Sequence, residues 1–478
     1  MMNTFSPLFR YRPIVDDWSS FVDVIARPLP TVIWTNTQRV TPEHLRGILD
    51  ALGVEATPLS WCPGAFRLPA EVKPGHLWPY KVGLFHVQEE VSLLPPVILA
   101  PRPGERVLDM AAAPGGKTAQ MALRMENRGT VIANDVGVHR MRALRHVLER
   151  LGILNTSTLV HDGSNLPLSV GVFDRVLVDA PCSCEGTARK NPEVLRLCGL
   201  DVSLEYQGVQ KALLRKAVQL CRPGGRIVYS TCTFAPEENE AVVDAILREF
   251  GPSRLRVVPI RLDAFRTSPG LTEWYGQRFH PTLEHTVRIW PHHNDTGGFF
   301  IALLEKAPAG WRRVPPEIPL LSESRPEWVV DPTPWLDTLA DRFGIPPQAF
   351  DEYIFFQTGR KGVRIVCHDH RPPLRPAPDA VGMLFMHTKG RMPKWTTAAV
   401  LAFGHLATRN VVEVTTSQVE AYVRREEFSL TREQAQSCSG RGYVILRYQG
   451  ITIGMGLFRP RQGAGTVASL FPKGWMRG

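Results

Sequence analysis

The clearest pattern in the chain is a series of short apolar segments between residues 83 and 306. They lie at residues 107–108, 131–133, 176–178 and 227–229, with helical segments between them. Strands of a parallel sheet have this uninterrupted apolar character, because helices cover both faces of the sheet. The pattern therefore predicts an α/β domain built on a parallel sheet.

The region before this domain predicts a smaller α+β unit. It has an apolar strand at Thr31–Thr35, followed by a helix that begins at Thr41 and Pro42. A helix start of this kind is favoured because proline is preorganised for the first helical turn. The apolar side chains then recur at helical spacing, at Leu45, Ile48, Leu49 and Leu52.

Two proline-rich passages divide the rest of the chain. Seven prolines lie between residues 307 and 335, and a second passage covers residues 371–378. Such composition indicates linkers. We therefore predict four regions, at residues 1–75, 76–306, 307–378 and 379–478.

Composition and charge narrow the class of protein. The 478 residues are 44% hydrophobic and 21% charged, as in a folded protein, and 56 Lys and Arg against 46 Asp and Glu give a net charge of +10. This excess favours a polyanionic partner, either a nucleic acid or a membrane surface. No apolar run reaches the roughly 18 residues of a membrane-spanning helix, and no apolar signal core precedes Asp16. We expect a cytoplasmic protein that does not enter membranes.

The cysteines give no support to a metal site. The eight cysteines include no Cys-x-x-Cys pair, the spacing that structural zinc sites use. Cys367, His368 and His370 form the one metal-like cluster, and we interpret them as the end of a strand. We predict that the protein has no metal and that its thiols are free.

A loop of small residues follows the first apolar segment. The chain reads Arg106-Val-Leu-Asp-Met-Ala-Ala-Ala-Pro-Gly-Gly-Lys-Thr118, and a helix is predicted over residues 118–125. Small residues let the backbone approach a ligand, and the helix start offers unpaired N–H groups. The loop matches neither the Walker A spacing, which requires glycine at Ala111, nor the dinucleotide fingerprint. A Rossmann-like site for a ligand without a pyrophosphate remains.

Two carboxylates extend this predicted site. Asp135 ends the next strand, about twenty residues after the loop, where an acidic group can accept hydrogen bonds from ribose hydroxyls. Asp162 follows a third strand and can meet an adenine amino group. Asp135 alone could equally be a turn residue, but three such elements in successive βα units favour an adenosyl ligand.

Two cysteines lie at the ends of two later strands. Cys182 follows Asp179, and Cys232 follows the apolar segment fifty residues on, with a helix predicted at about residues 210–221. Ligands bind at the carboxyl ends of parallel strands, so both thiols should lie on the rim that carries the adenosyl loop. A single cysteine is commonly a small buried apolar residue. A thiolate, however, attacks electron-poor ring carbons when nearby positive charge lowers its pKa, and Lys117, Arg189 and Lys190 are candidate sources.

These stretches resemble the Sun/Fmu-type RNA (cytosine-5) methyltransferases. The resemblance rests on residues 111–118, 179–192, 230–240 and 296–300, and it covers roughly residues 80–306. It implies a class I methyltransferase core that uses S-adenosylmethionine. DNA cytosine methyltransferases take their nucleophile from the Pro-Cys strand and would not need Cys232.

The resemblance also implies roles for individual residues. Cys232 adds to carbon-6 of cytosine and thereby activates carbon-5 for the methyl group. Asp179 holds or protonates ring nitrogen-3, Cys182 helps to remove the carbon-5 proton, and Lys117 lies near Asp179 and the base. The residues implied to hold the cofactor are Ala111, Ala112, Ala113, Pro114, Gly115, Gly116, Lys117, Asp135, Arg140, Asp162 and Asp179.

The chain departs from the family pattern at three places. Cys184 stands where the family usually has glycine, and we interpret it as a tolerated small residue. The alternative is that it substitutes for a neighbouring thiol or is oxidised together with one. Ala111 replaces a common cysteine, and residues 34–37 match the family's Asn-Thr motif only in part.

The terminal third resembles the appended region of the bacterial branch that acts on small-subunit ribosomal RNA and ends in a PUA-like barrel. The matching stretches are residues 450–456 and 471–475, and the last 38 residues hold six Arg or Lys and no Asp or Glu. Four aromatic residues predict an RNA platform here: Tyr443, Tyr448, Phe458 and Trp475. The alternative is a basic surface around a small hydrophobic barrel.

We therefore expect a monomeric enzyme that methylates carbon-5 of cytosine in structured RNA, with 16S ribosomal RNA as the substrate. A tRNA cytosine-5 methyltransferase is the alternative in the same class, because a PUA-like barrel suits tRNA as well. A non-catalytic RNA-binding or assembly factor is the alternative from another class, but it would not need two aligned thiols.

Overall fold

The computed structural model describes residues 6–359, 362–388, 394–461 and 464–476. A 3-10 helix at Ser6–Ile14 precedes the N-terminal unit. The strands of this unit are β1 (Thr31–Thr35), β2 (Thr57–Pro58), β3 (Ala65–Leu68) and β4 (Phe85–Val87), and its helices are α1 (Trp18–Ile25), α2 (Pro42–Ala51) and α3 (Trp78–Lys81).

The four strands of the N-terminal unit form one sheet in the order β2-β3-β1-β4. The predictions of β1 and of a helix beginning at Pro42 are confirmed, and the Thr41 hydroxyl caps α2 by accepting a hydrogen bond from the His44 N–H. Strand β4 lies beyond residue 75, so this sheet takes its fourth strand from the predicted core region.

The central unit contains a ten-stranded sheet. Its elements include β5 (Arg106–Asp109), β6 (Thr130–Asp135), β7 (Thr156–Val160), β8 (Phe173–Asp179), β9 (Cys221–Thr231), β10 (Leu255–Val258), β11 (Ser268–Pro269), β14 (Val287–Ile289) and β15 (Phe299–Lys306), with a separate hairpin of β12 (Glu273–Trp274) and β13 (Gln277–Arg278). The helices are α4 (Leu94–Leu99), α5 (Gly116–Arg124), α6 (Val138–Leu151), α7 (Val194–Leu197), α8 (Leu200–Leu220), α9 (Glu240–Phe250) and α10 (Pro291–Asn294).

The predicted parallel sheet is confirmed for β9-β8-β5-β6-β7, which pair in parallel in that order. Strands β10, β14 and β15 add an antiparallel extension beside β9 that the apolar pattern did not predict. Apolar clusters cover both faces, and burying one Leu, Ile or Val side chain there contributes about 1.5–3 kcal/mol. The predicted helix at residues 210–221 is the end of α8, because Cys221 already begins β9.

The third region packs on the central unit. It contains α11 (Leu321–Ser324), α12 (Thr333–Phe343), β16 (Tyr353–Phe356), β17 (Val363–Cys367), β18 (Ala380–Val381), β19 (Met383–His387), β20 (Lys394–Trp395) and α13 (Thr397–Phe403). Strand β18 pairs with β7 and thus extends the central sheet. The proline passages lie against the same unit, since the Val172 N–H donates to the Pro316 carbonyl and the Ser169 hydroxyl donates to the Arg375 carbonyl.

The metal-like cluster of the third region is part of this packing. The Cys367 thiol donates to the Gly129 carbonyl, and the His370 ring lies 2.8 Å from the Ser157 hydroxyl. Both side chains are buried, and burial lowers the pKa of His370 to about 4. His368 instead points to the surface beside Glu352. The cluster therefore fastens the third region to β7 and to the start of β6.

The C-terminal unit is a curled five-stranded sheet in the order β21-β23-β24-β25-β22. Its strands are β21 (Val411–Glu413), β22 (Phe428–Leu430), β23 (Gly442–Tyr448), β24 (Ile451–Arg461) and β25 (Ala464–Ser469), and its helices are α14 (Thr416–Val423) and α15 (Arg432–Gln436). Strands β23 and β24 pair antiparallel. No helix in the described part of the chain is long and apolar enough to cross a membrane.

The predicted aromatic platform is wrong for three of its four members. Tyr448, Phe458 and Trp475 are buried, and they belong to the apolar core that the C-terminal and N-terminal units share. Tyr448 packs edge-on against Trp78, and Trp475 packs against Phe471. Of the four, only Tyr443 stays partly exposed.

Candidate active site

The carboxyl ends of β5, β6, β8 and β9 meet at one edge of the central sheet. The register pairs Asp109 with Ala133 and Leu177, and it pairs Asp179 with Ser230. The predicted placement of Cys182 and Cys232 on the same rim as the small-residue loop is therefore confirmed.

A cleft of about 210 Å³ lies over the end of β5. It is lined by Ala111, Ala112, Ala113, Pro114, Gly115, Gly116, Lys117 and Asp179 of the predicted cofactor set, together with Asp109, His86, Gln88 and Glu89. Gly115 takes a left-handed conformation at the start of α5, and a Cβ on Gly116 would crowd Gln88 across the cleft. The glycines thus keep the helix start open to a ligand.

One oxygen in this cleft lacks a donor. Asp109 accepts a hydrogen bond from the Thr118 hydroxyl through one carboxylate oxygen, while the other is buried without a partner among the described residues. Burial raises the pKa of Asp109 to about 7. A ligand that donates hydrogen bonds, such as the amino groups of S-adenosylmethionine, would satisfy this acceptor, so the cleft fits that cofactor.

Asp135 and Arg140 hold the loop rather than line the cleft. The Asp135 carboxylate accepts from the Ala113 N–H and the Gly137 N–H, and the Arg140 guanidinium donates to the Ala113 carbonyl. Asp135 and Arg140 also form an ion pair. Both the N–H and the carbonyl of Ala113 are therefore held by hydrogen bonds.

Asp162 lies at the surface beyond β7. Its carboxylate accepts hydrogen bonds from Ser164 and Asn165, and it caps the short turn that these residues form. Neighbouring Asn134 ties the Met110 and His161 carbonyls together, so this turn borders the loop. The contact of Asp162 with adenine stays a prediction.

A second cavity, of about 170 Å³, adjoins the first. Cys232, Ala180, Thr187 and Phe299 are among the residues that line it. The residues that line both cavities are Glu89, Ser92, Lys117, Asp179 and Lys190. Molecules in the two cavities would therefore meet beside Lys117 and Asp179.

Asp179 is held in place by two donors. The Lys117 ammonium lies 2.7 Å from one carboxylate oxygen, and the Ser230 hydroxyl lies 2.8 Å from the other. Burial opposes the charge of Lys117, but attraction to Asp179 outweighs it and raises the pKa of Lys117. The pair therefore places a carboxyl group and an ammonium at the boundary of the two cavities.

The reactive thiols lie in a cluster of three. The sulfur atoms of Cys182 and Cys232 are 3.4 Å apart, and those of Cys182 and Cys184 are 3.9 Å apart. Hydrogen bonds from Cys182 and Cys232 lower the pKa of Cys184. The hydrogen bond to Cys184 raises the pKa of Cys182, and for Cys232 the effects of Cys184 and burial outweigh the hydrogen bond from Cys182, so its pKa rises as well.

Buried polar residues position the loop of Cys182 and Cys184. The Ser183 N–H donates to the Glu238 carboxylate, and the Ser183 hydroxyl lies 2.7 Å from that of Thr233. The Gly186 N–H donates to the Cys232 carbonyl, which joins this loop to the end of β9. Cys184 itself has a φ of 62°, in the left-handed region that favours glycine.

The three cations proposed from the sequence differ in their surroundings. Lys117 is paired with Asp179 and acts electrostatically on Cys232, and Lys190 lines both cavities. Arg189 is not available to the thiols, because its guanidinium binds the Arg27, Pro28 and Thr296 carbonyls and Asp295.

Three residues of the site were not predicted from the sequence: Asp109, Glu89 and Ser230. The position of Asp109 and Ser230 at strand ends was the available signal.

The chain is similar to known proteins. The family model "16S rRNA methyltransferase RsmB/F" matches residues 96–305, and the model "Methyltransferase RsmF PUA domain" matches residues 409–477. A tRNA (cytosine(49)-C(5))-methyltransferase of Pyrococcus abyssi is 39% identical over 61% of this chain and 93% of its own length. The chain belongs to the RsmB/F methyltransferase family.

Other RsmB/F relatives match different shares of the chain. Ribosomal RNA small subunit methyltransferase F of Aeromonas hydrophila is 31% identical over 91% of this chain and 90% of its own length. A human 28S rRNA (cytosine(4447)-C(5))-methyltransferase is 38% identical, and this chain spans 35% of its length. A crystal structure of a methyltransferase homologue from Pyrococcus horikoshii superposes with a TM-score of 0.54 at 34% identity, over 60% of this chain and 90% of that one.

These matches confirm several predictions. They confirm the predicted family and the class I methyltransferase core. They also confirm the PUA-like C-terminal region and S-adenosylmethionine as the cofactor of the family. The four domain boundaries and the roles of individual site residues stay predictions.

Proposed function

We propose that this chain methylates carbon-5 of cytosine in 16S ribosomal RNA, with Cys232 as nucleophile and Cys182 as the residue that assists release. One observation supports this proposal most strongly. The sulfurs of Cys182 and Cys232 are 3.4 Å apart, beside a cavity that shares Lys117 and Asp179 with the cofactor cleft. When bound, S-adenosylmethionine supplies a methyl group on a positively charged sulfur.

The first step is addition of the Cys232 thiolate to carbon-6 of the cytosine. A carbon–sulfur bond forms, and the electron pair of the carbon-5 to carbon-6 double bond moves to carbon-5 and into the ring. Asp179, held by Lys117 and Ser230, gives a proton to ring nitrogen-3 as the electron pair moves into the ring, and it takes this proton back when the ring is restored. Carbon-5 then accepts the methyl group.

The second step restores the aromatic ring. Cys182, as the thiolate, takes the proton from carbon-5, the double bond forms again, and the sulfur of Cys232 leaves carbon-6 with its electron pair. Cys232 thus leaves as the thiolate that the next addition needs, and Cys182, now a thiol, releases its proton to solvent before the next cycle.

The extent of the similarity favours ribosomal RNA over tRNA. The relative named for tRNA aligns with 61% of the chain, whereas the Aeromonas small-subunit enzyme aligns with 91% and therefore reaches into the C-terminal unit. The net charge of +10 suits a polyanion. We further propose that the regions of residues 1–75, 307–378 and 379–478 select this RNA, and that the enzyme works as a monomer in the cytoplasm.

The test is a methylation assay with three substrates: 16S ribosomal RNA, assembled small subunits and total tRNA. Each is incubated with the full chain and methyl-labelled S-adenosylmethionine, and the modified base is identified after nuclease digestion. We expect 5-methylcytosine in ribosomal RNA or in the subunit. Label only in tRNA would overturn the proposed substrate, and binding of RNA without any label would favour the non-catalytic RNA-binding factor.

A further inference from the structure

The active-site cysteines have a third partner that the methyl-transfer chemistry does not use. Cys184 adds a sulfur to the two that the proposed reaction needs, and the three sulfur atoms all lie within 4.8 Å of one another. Its backbone is in the left-handed region, where a cysteine is less stable than a glycine. The chain therefore places a thiol here against the local conformational preference.

We propose that Cys182, Cys184 and Cys232 form a binding site for a single thiophilic cation of the zinc and cadmium type. The site lies outside the cofactor cleft, and it shares Cys182 and Cys232 with the proposed reaction.

The distances between the sulfur atoms suit such an ion. A tetrahedral zinc with Zn–S bonds of about 2.3 Å separates its sulfur ligands by about 3.8 Å. The observed separations of 3.4 Å and 3.9 Å bracket this value, and the third pair lies within 4.8 Å. Small rotations of the side chains would bring all three sulfurs to one metal ion.

The surroundings provide access and rigid support. Cys232 lines the cavity of about 170 Å³, so an ion can reach the sulfurs from the RNA side and keep water as its fourth ligand. Glu185 and Glu238 accept hydrogen bonds from Thr233 and Ser183, and these contacts hold the loops that carry the cysteines. Soft thiolate ligands select zinc, cadmium or copper(I) over magnesium or calcium.

Binding would have a direct consequence for the reaction. On binding, each thiol gives up its proton to solvent, and the resulting thiolate donates an electron pair to the metal, with no change of oxidation state. The sulfurs of Cys182 and Cys232 would then be unavailable for addition and for proton removal. The ion would act as a reversible inhibitor, and family members with glycine in place of Cys184 would lack the complete site.

The experiment is a titration of the full chain with Cd²⁺ in a buffer that contains a phosphine reductant, which keeps the thiols reduced without binding as a thiol. Binding is followed by calorimetry and by the ultraviolet charge-transfer absorption of cadmium thiolates. The test variant is Cys184→Gly, since glycine suits the left-handed backbone. The matched control is Cys438→Ser, which removes another partly buried free thiol from the C-terminal unit.

We expect one tight equivalent of Cd²⁺ in the unmodified chain and in Cys438→Ser, and an affinity lower by about 100-fold or more in Cys184→Gly. Thermal melting and S-adenosylmethionine binding of Cys184→Gly show whether the variant is folded. Equal affinity in Cys184→Gly and the unmodified chain, or no tight equivalent in either, would overturn the proposal. Because the readout is metal binding, this outcome is independent of the methylation assay.

Discussion

Among single residues, Asp179 matters most to the proposed reaction, because it lies between the two cavities. Its carboxylate accepts from both Lys117 and Ser230, and its side chain is 27% exposed, so a base in the adjacent cavity can reach it. These contacts fix the orientation of a group that must meet ring nitrogen-3 at one position.

Replacing Asp179 with Asn should therefore lower the rate of methyl transfer by about 10²–10⁴-fold, because the amide carries no charge and cannot protonate the ring. The measurement is single-turnover methylation of RNA. Ser230→Ala is the matched control, since it removes only one hydrogen bond to the carboxylate, and we expect it to cost about tenfold or less. A rate for Asp179→Asn within threefold of the unmodified chain would contradict this role.

The cluster of three thiols predicts the pH dependence of the reaction. The pKa of Cys232 is raised, mainly by Cys184 and burial against the lowering effect of Cys182, so only a small fraction is thiolate near neutral pH. The value of kcat/KM should rise with pH through neutrality, because the attacking form is the deprotonated one. In Cys184→Gly the largest raising influence is absent, and the rise should move to lower pH.

This dependence is measured as kcat/KM for RNA between pH 6 and pH 9 in both proteins. A profile that is flat above pH 6 would show that Cys232 is already ionised in the free enzyme. Identical profiles for the two proteins would show that Cys184 does not influence the nucleophile.

At the element scale, the active site depends on three loops that interlock at the strand ends. The Gly186 N–H donates to the Cys232 carbonyl, and the Gly298 N–H donates to the Gly186 carbonyl. A Cβ on Gly186 would collide with the Gly298 carbonyl and crowd the Cys232 carbonyl. The close approach of three backbones sets the separation of the two thiols.

Gly186→Ala should push the Cys182 loop away from Cys232 and lower the free energy of unfolding by about 1–3 kcal/mol. Methyl transfer should fall by about tenfold or more, because the thiols no longer act on the same base. Denaturant unfolding and single-turnover rates measure the two effects. The matched control is Gly208→Ala, where a Cβ meets no neighbour within 4 Å, and we expect a gain in stability of about 0.5–1 kcal/mol. Equal behaviour of the two variants would contradict the interlock.

The elements also show what the sequence could predict. The parallel strands and the strand-end cysteines were readable, because a strand buried on both faces must be apolar throughout and its carboxyl end faces the ligand side. The antiparallel strands β10, β14 and β15 could not be predicted, because an apolar pattern does not distinguish a parallel strand from an antiparallel one. The buried positions of Tyr448, Phe458 and Trp475 depend on packing between the C-terminal and N-terminal units, which no local pattern records.

At the scale of the whole molecule, the excess positive charge predicts how the protein binds RNA. Arg461 and Lys473 in the C-terminal unit are exposed, and the described residues provide neither with an ion-pair partner. Such side chains can neutralise phosphates and release counterions.

The double variant Arg461→Gln with Lys473→Gln should bind ribosomal RNA about tenfold more weakly at physiological salt, and the slope of log K against log[salt] should become shallower by roughly 1–2. Filter binding at several salt concentrations measures both quantities. Arg102→Gln is the control, because Arg102 is exposed near the amino end of β5, opposite the site. An equal loss of RNA affinity in Arg102→Gln would mean that binding depends on the net charge of the protein and not on the positions of Arg461 and Lys473.

The most direct test of the account is covalent trapping of RNA by the cysteine variants. Cys182→Ala should leave a protein–RNA adduct that survives a denaturing gel in the presence of S-adenosylmethionine, because Cys232 attacks but is not released. Cys232→Ala and the double variant should leave none. An adduct formed by Cys232→Ala would reverse the two roles. If neither single variant formed an adduct while both bound RNA tightly, covalent catalysis by these thiols would be contradicted.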